Sequence, residues 1–350
     1  MRKTPFGIAA LVAGATSVAL LLSGCVAGES SGAAAAPASA APSGTVTEGG
    51  TLNIDYATYN PLSLVIKNNG WLEQALKGQN ITVNWVKSAG SNKANQALLS
   101  GAIDVGSTAG SAALLAKANG SGIQVIDIFS QPNWAALVVP ANSAIKTVAD
   151  LKGKSIAATK GTDPYFFLVQ ALAANGLSLD DVTVQNLQHA DGWAALQNGS
   201  VDAWSGLDPI LSNALTTGAT ELYQNVDFNS YGFLNANESF VKAKPDVAQT
   251  VVNAYEHARA WAISNPTETA GYLATEAAID PAVATTVITD RTNLDVSPVP
   301  GDAQLSVLKT IGPIFVQTGD VASQDLIDTA LTTIENPTFA EAADPNAIGE

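Results

Sequence analysis

Four short stretches of this chain, Tyr56 to Asn60, Ser88 to Asn92, Ser107 to Ser111 and Thr159 to Asp163, concentrate Gly, Ser, Thr and Asn where a strand is expected to give way to a helix. Loops of this kind bring free backbone amides and hydroxyls to helix N-termini, whose partial positive charge favours an anion. Glycine lets the backbone approach the ligand, and the hydroxyl and amide side chains supply directed hydrogen bonds. Tyr59, Asn60 and Ser91 are candidate ligand-binding side chains in the first two loops. Helix capping alone explains any one such loop; four of them in two blocks point to a shared cleft. Asp191 and Asp208 could receive a ligand amine, or Asp191 could cap the helix that follows it and Asp208 could pin the turn before Pro209. Trp204 ends a strand and is expected to border the cleft and stack on an organic ligand, whereas Trp193 is expected in the core.

Other chemistries lack their residues. Lys160-Gly161-Thr162 does not have the spacing of a phosphate-binding loop. No His-Glu-x-x-His, Gly-x-Ser-x-Gly or metal-ligand cluster occurs, and the chain has two histidines in all. His257 sits mid-helix between Tyr255 and Arg259, a surface position; His189 ends a strand and could border the cleft. Neither a cofactor nor a metal is expected.

The single cysteine, Cys25, follows Leu22-Ser23-Gly24 at the end of an apolar run that starts just after Arg2 and Lys3. A basic start, a short hydrophobic stretch and small residues before the cysteine describe a secretory leader too short to span a bilayer as a mature helix. The junction resembles a bacterial lipobox, which implies removal of residues 1–24 and acylation of Cys25. Residues 25–49 are Ala, Ser, Gly and Pro with almost nothing to bury, and read as a flexible tether. A cysteine used in this way leaves none for a disulfide or a thiolate metal site. The formal net charge of −15 argues against nucleic acid and for a solvated, monomeric protein. It does not exclude an anionic ligand, because helix termini act locally while surface charge is screened over about 8–10 Å.

From Thr51 onward short strand-like runs alternate with helical ones, and the rhythm restarts after a polar break at Pro140 to Ser143. Alternation predicts two α/β lobes, each with a mainly parallel sheet flanked by helices. Beyond Phe240 the pattern turns helical, with Pro opening the runs at 245, 266 and 281. A helical third with no sheet of its own is expected to pack on the first lobe. The expected division is residues 50–139 with 237–350 in the first lobe and 140–236 in the second.

The stretch Ser143 to Lys154 followed by Lys160-Gly161-Thr162, together with Gly70-Trp71-Leu72-Glu73, Leu99 to Gly106, Leu168 to Leu172, Ala190-Asp191 and Val201-Asp202-Ala203-Trp204 with Asp208-Pro209, resembles the aliphatic sulfonate, taurine and nitrate binding proteins of ABC importers. The resemblance is clear over residues 51–240 and weaker beyond. It implies a two-lobe periplasmic-binding-protein fold of type II that closes on a small organic anion and delivers it to a membrane permease. It is a binding role rather than an enzymatic one, at the outer face of the cytoplasmic membrane or in the periplasm. Family binding positions map onto Thr108, Gly110 and Ser111 in the first lobe and Gly161 and Thr162 in the second. The chain departs from the family pattern at Thr108 to Ala112, where sulfonate binders often carry an acidic residue and a Pro pair, and at Leu207, where many have a second Trp. Related binders also take nitrate, or a heteroaromatic such as a thiamine precursor or riboflavin, for which Tyr56, Tyr59, Trp134, Tyr165 and Trp204 could supply rings. Pyrimidine-forming synthases share the fold but need a histidine-rich site.

Overall fold

The structure is a computed structural model that describes residues 49–349. Cys25, the leader and all but the end of the tether lie outside the described residues. The chain runs through β1 (Gly50–Tyr56), α1 (Pro61–Asn69), α2 (Trp71–Lys77), β2 (Ile81–Lys87), α3 (Ser91–Ser100), β3 (Val105–Ala109), α4 (Gly110–Ala118) and β4 (Ile123–Ser130). It continues with β5 (Ala135–Pro140), β6 (Ser155–Ala158), α5 (Asp163–Ala174), β7 (Thr183–Asn186), α6 (His189–Gln197), β8 (Ala203–Leu207), α7 (Ile210–Thr217), β9 (Ala219–Tyr223) and β10 (Gly232–Asn237). Helices α8 (Glu238–Ala243), α9 (Pro245–Ser264), α10 (Pro266–Ala277), α11 (Pro281–Thr286), α12 (Asp302–Gln317), α13 (Gln324–Thr333) and α14 (Thr338–Glu341) complete it, with a π-helical turn at Val287–Arg291 after α11. The helix expected from Pro61 to Leu72 is two helices. Gly70, at φ +68°, takes the left-handed conformation that closes α1, and α2 starts at the next residue.

Two five-stranded sheets form, in the orders β2-β1-β3-β10-β4 and β7-β6-β8-β5-β9. Each is parallel except for one strand: β10 runs antiparallel to β3 and β4, and β5 antiparallel to β8 and β9. Those two strands correct the expected division of the chain. Residues 135–139, expected in the first lobe, pair within the second sheet, and residues 232–236, expected in the second, pair within the first. Hydrophobic runs identify strands but do not say which edge they will meet. The polar break at Pro140 to Ser143 is a loop inside the second lobe, and the chain crosses between sheets at residues 131–134 and again before β10.

Both sheets are covered on two faces, which is why their strands read as continuous apolar runs. In β5, Leu137 and Val139 pack into the large shared core, while Ala136 and Val138 join Trp204, Ala157 and Leu211 on the opposite face. The helical C-terminal third packs mainly on the first lobe. Helix α9 lies against α1, α2 and β4, and α12 and α13 lie against α4. The outer edge of β4 is closed by this region, since Ile128 N–H donates to Pro298 O at 2.9 Å, Val125 N–H to Ile334 O at 2.8 Å, and Asn336 N–H to Val125 O at 2.9 Å. An edge with its hydrogen bonds made is no longer a template for another strand. The same region also reaches the second lobe, where α11 meets α7.

Candidate functional site

Strand C-termini and helix N-termini of both lobes face each other around a cavity of about 290 Å³. Its first-lobe wall is Lys87, Ser88 and Ala89 at the end of β2; its second-lobe wall is Gln188, His189 and Ala190 at the start of α6 and Leu207 to Ile210 between the end of β8 and the start of α7. Glu276 and Ala277 of α10 close one side. The first amides of α6 and α7 have no acceptor within their helices, and in α7 the Asp208 carboxylate takes the one from Ser212. Lys87 and Glu276 pair at 2.6 Å on the rim, half exposed in the case of Lys87; a pair this wet contributes little to stability.

Tyr59, Thr58 and Asp208 also line a second, much smaller recess of about 10 Å³, together with Trp134 and Arg291. Tyr59 is fixed there by its hydroxyl, which donates to Ser107 O at 2.9 Å, and by an edge-on contact with Trp134. Asp208 accepts from Ser212 N–H at 2.9 Å, from Ser212 Oγ at 2.6 Å and from Arg291 Nε. Burial raises the Asp208 carboxyl, and the Arg291 guanidinium opposes that rise. Arg291 Nη2 is buried with no partner among the described residues. Sequence reasoning passed over Arg291, which ends a π-helical turn in a region with no loop motif. The usable signal was scarcity: the chain has three arginines, and one of them, Arg2, lies outside the described residues.

His189 opens α6 rather than ending a strand, because β7 stops at Asn186 and Gln188 takes the extended N-cap conformation. The tautomer of its ring follows from Thr159. The one hydroxyl proton of Thr159 goes to Leu187 O at 2.7 Å, so the 3.2 Å contact between Thr159 Oγ1 and His189 Nδ1 has Nδ1 as donor. Nε2 is then the acceptor nitrogen, and it is buried without a partner. Burial pushes the imidazole down to about 4, which keeps the ring neutral at physiological pH. Beneath Ser88 the buried carboxyl of Asp55 accepts from Ser107 N–H at 2.9 Å and Ser107 Oγ at 3.0 Å. Burial pushes it up to about 7 against the pull of the hydrogen bonds from Ser88 and Ser107.

Of the residues expected at the site, Tyr59 and Asp208 line the cleft. Most of the others have their polar groups committed within the protein. Asn60 caps α1 and donates to Tyr255 OH at 3.0 Å. Ser91 Oγ accepts from Ala109 N–H, Thr108 Oγ1 donates to Ala109 O and accepts from Asn235 Nδ2, and Gly110 N–H donates to Tyr231 O. Thr162 Oγ1 donates to Thr159 O at 2.7 Å, and Gly161 borders a separate groove of about 230 Å³ beside Asn92 and Leu115. Asp191 is exposed in the first turn of α6 and does not cap it. Trp204 corrects the expectation of a cleft residue: it is 1 % exposed and packs against Trp193 at 6.0 Å in the core of the second lobe. It is the second residue of β8 rather than its last, inside a strand whose residues are all buried.

Ser111 plays a different part from the one expected. Its hydroxyl donates across the lobes to the buried carboxylate of Asp163, which also accepts from Trp134 Nε1 at 2.9 Å, Ser230 N–H at 2.8 Å and Ser230 Oγ at 2.6 Å. Trp134 and Ser230 belong to the two crossings between sheets. One carboxylate thus ties both lobes to both linkers. Among the described residues no group of three or more His, Cys, Asp or Glu could hold a metal ion, and no helix is long and apolar enough to cross a membrane.

Comparison with known proteins agrees with this architecture. The candidate aliphatic sulfonates-binding protein of Escherichia coli K12 is 30% identical over 230 residues, which is 65% of this chain and 72% of that one. Its counterpart from Bacillus subtilis 168 is 30% identical over 203 residues, 57% of this chain and 61% of that one. Among solved structures, the alkanesulfonate-binding protein SsuA from Xanthomonas axonopodis pv. citri bound to MOPS aligns with a TM-score of 0.71 at 27% identity, covering 80% of this chain and 97% of that one. The periplasmic aliphatic sulphonate binding protein SsuA from Escherichia coli aligns at 0.69 and 28% identity, covering 80% and 96%. The desulfurization enzyme DSZB, at 15% identity and a TM-score of 0.62, shares the fold alone. The NMT1/THI5 like family profile matches residues 64–269, more than half of the chain, and the protein belongs to that family.

Proposed function

We propose that this protein is the extracytoplasmic solute-binding component of an ABC importer, capturing a small organic sulfonate between its lobes and handing it to the membrane permease. The observation that carries this reading is the inter-lobe cavity, walled by the first turns of α6 and α7, in a chain 27–30% identical to sulfonate binders. The anionic head is assigned to the side of the cleft formed by Asp208, next to which Arg291 stands. There Arg291 Nη2 lacks an acceptor among the described residues. Asp208 holds Arg291 in place and balances its charge until the ligand arrives. Of the rings a heteroaromatic ligand would use, Tyr59 and Trp134 reach the cleft while Tyr165 and Trp204 are buried in cores, which favours the aliphatic anion. The role is capture without turnover, as a monomer and without a cofactor.

Calorimetry and tryptophan fluorescence against propane-1-sulfonate, 2-aminoethane-1-sulfonate, nitrate and sulfate test the assignment. Saturable binding of a sulfonate is expected, with Arg291→Gln weakening it by about tenfold or more, as for a lost charge-assisted hydrogen bond. No response to any sulfonate would refute it. In the same reading the Cys25 acyl anchor and the tether to residue 49 keep the binding lobes near the permease and raise their effective concentration there.

A further inference from the structure

The donors around the Asp163 carboxylate form a complete set with a shape of its own. Oδ1 accepts from the hydroxyls of Ser111 and Ser230, the latter at 2.6 Å, and Oδ2 accepts from Trp134 Nε1 at 2.9 Å and Ser230 N–H at 2.8 Å. The indole and the backbone amide can only donate. The Ser230 hydroxyl is turned the same way, because its oxygen accepts from Ser111 N–H at 2.9 Å and its proton is left for the carboxylate. None of these residues is more than 4 % exposed. Asp163 is the first residue of α5 and Ser111 the second of α4, so the negative charge lies where two helix N-termini favour it. Burial raises the carboxyl, and the hydrogen bonds from Ser111, Ser230 and Trp134 oppose that rise. The donors are also braced by bonds that do not involve Asp163. Gly110 N–H donates to Tyr231 O at 2.8 Å, which fixes the start of α4 to the second crossing, and Asn229 Oδ1 accepts from Ala135 N–H at 3.0 Å, which fixes that crossing to the start of β5. Groups held in place beforehand lose little freedom when an anion arrives.

We propose that Ser111, Trp134 and Ser230 form a preorganised site for a small carboxylate, and that in this chain the site is filled by the protein's own Asp163. The carboxylate is carried on α5 of the second lobe and is held by Ser111 of the first lobe and by both crossings, so it does at the joint between the lobes what a bound anion would do. A free anion cannot enter while the Asp163 side chain is there. The inference does not depend on which ligand the cleft takes.

The test takes the carboxylate out and gives it back as formate. Asp163→Ala leaves a methyl group at the site, and formate, ionised near neutral pH, supplies the missing atoms. Formate should stabilise Asp163→Ala against urea saturably and beyond the effect of sodium chloride at equal ionic strength; at ten times its Kd it multiplies the folding constant by about 11-fold. Wild type, whose site is filled, should respond to formate no more than to chloride, and so should Asp163→Asn, whose amide takes the same space. The Trp134 indole N–H resonance, assigned with Trp134→Phe, should move in Asp163→Ala along the same saturation curve, a local change that a general salt effect does not produce. Adding Ser230→Ala to Asp163→Ala should weaken formate by about tenfold or more, as for a lost hydrogen bond to a charged group. A folded Asp163→Ala whose stability and Trp134 resonance follow formate and chloride alike would overturn the proposal. If Asp163→Ala does not fold in chloride, its recovery in formate supports the site, and its failure in formate as well overturns it.

Discussion

Gly90 of the first lobe faces His189 of the second, and replacing it with alanine separates closure from folding. The residue has φ +154° and precedes α3 in the first lobe. An added Cβ would sit 2.9 Å from His189 Nε2, 3.2 Å from His189 Cδ2 and 3.0 Å from Asn92 Oδ1. The histidine belongs to the second lobe, so the collision exists when the lobes are together and vanishes when they part. Overpacking of this kind costs about 1–3 kcal/mol, and since ligand affinity draws on the closed state, Gly90→Ala should weaken binding by roughly 5- to 150-fold. The unfavourable φ acts on open and closed forms alike. It should lower unfolding stability by about 1 kcal/mol or somewhat more without further effect on affinity. Calorimetry with the tightest sulfonate and urea unfolding of the free protein read the two terms separately. Combining Gly90→Ala with His189→Ala should recover most of the loss for a ligand that does not use the imidazole, a coupling that a double-mutant cycle measures. Unchanged affinity in Gly90→Ala, or no recovery in the double variant, would mean that His189 and Gly90 do not meet in the liganded protein.

Asp163→Ala strands four donors at the junction of lobes and linkers, two of them backbone or indole N–H groups that cannot turn away, and should cost about 3–5 kcal/mol in urea unfolding. Asp163→Asn should cost less, because the Ser111 and Ser230 hydroxyls can reverse and accept from the amide; equal losses would contradict the geometry. The Asp55 carboxyl, raised to about 7 by burial, binds its proton more tightly folded than unfolded, so its contribution is complete below the ordinary carboxylate range and is lost as pH rises through 7. The difference in stability between wild type and Asp55→Asn should therefore shift by about 2–3 kcal/mol against wild type between pH 5 and pH 8, and a flat difference would show that Asp55 is ionised throughout. Cys25→Ser should release the protein from the membrane fraction with sulfonate affinity intact; loss of binding would contradict the separation of anchor and lobes.

Much of the fold was legible because it rests on local rules. Alternating apolar runs, Pro at first turns and glycine stops marked most elements between β1 and α13, and Gly70 alone split one expected helix in two. The lobe boundary was not legible. β5 and β10 were recognised as strands, yet each pairs antiparallel in the sheet opposite to the one expected, because pairing depends on edges built by residues far away in the chain. For the cleft, Tyr59 and Asp208 were visible as polar or aromatic residues at strand ends. Arg291 was not, since its place comes from α11 folding back against α7. Ser91, Thr108, Ser111 and Thr162 looked like ligand donors, and their hydroxyls are used instead to brace loops and linkers; composition cannot tell those uses apart.

The sequence by itself determined the class of the protein: two α/β blocks, a helical remainder and loops fit for a small ligand. These follow from hydrophobic period, turn chemistry and short motifs, which act over a few residues. Only the tertiary structure decided what faces what. The carboxylate that ties both lobes to both crossings, the guanidinium of Arg291 paired with Asp208 and the contact of Gly90 with His189 all join residues from distant parts of the chain. Hydrogen bonds and charge pairs are selected at a range of about 3 Å, and only the folded chain sets those distances.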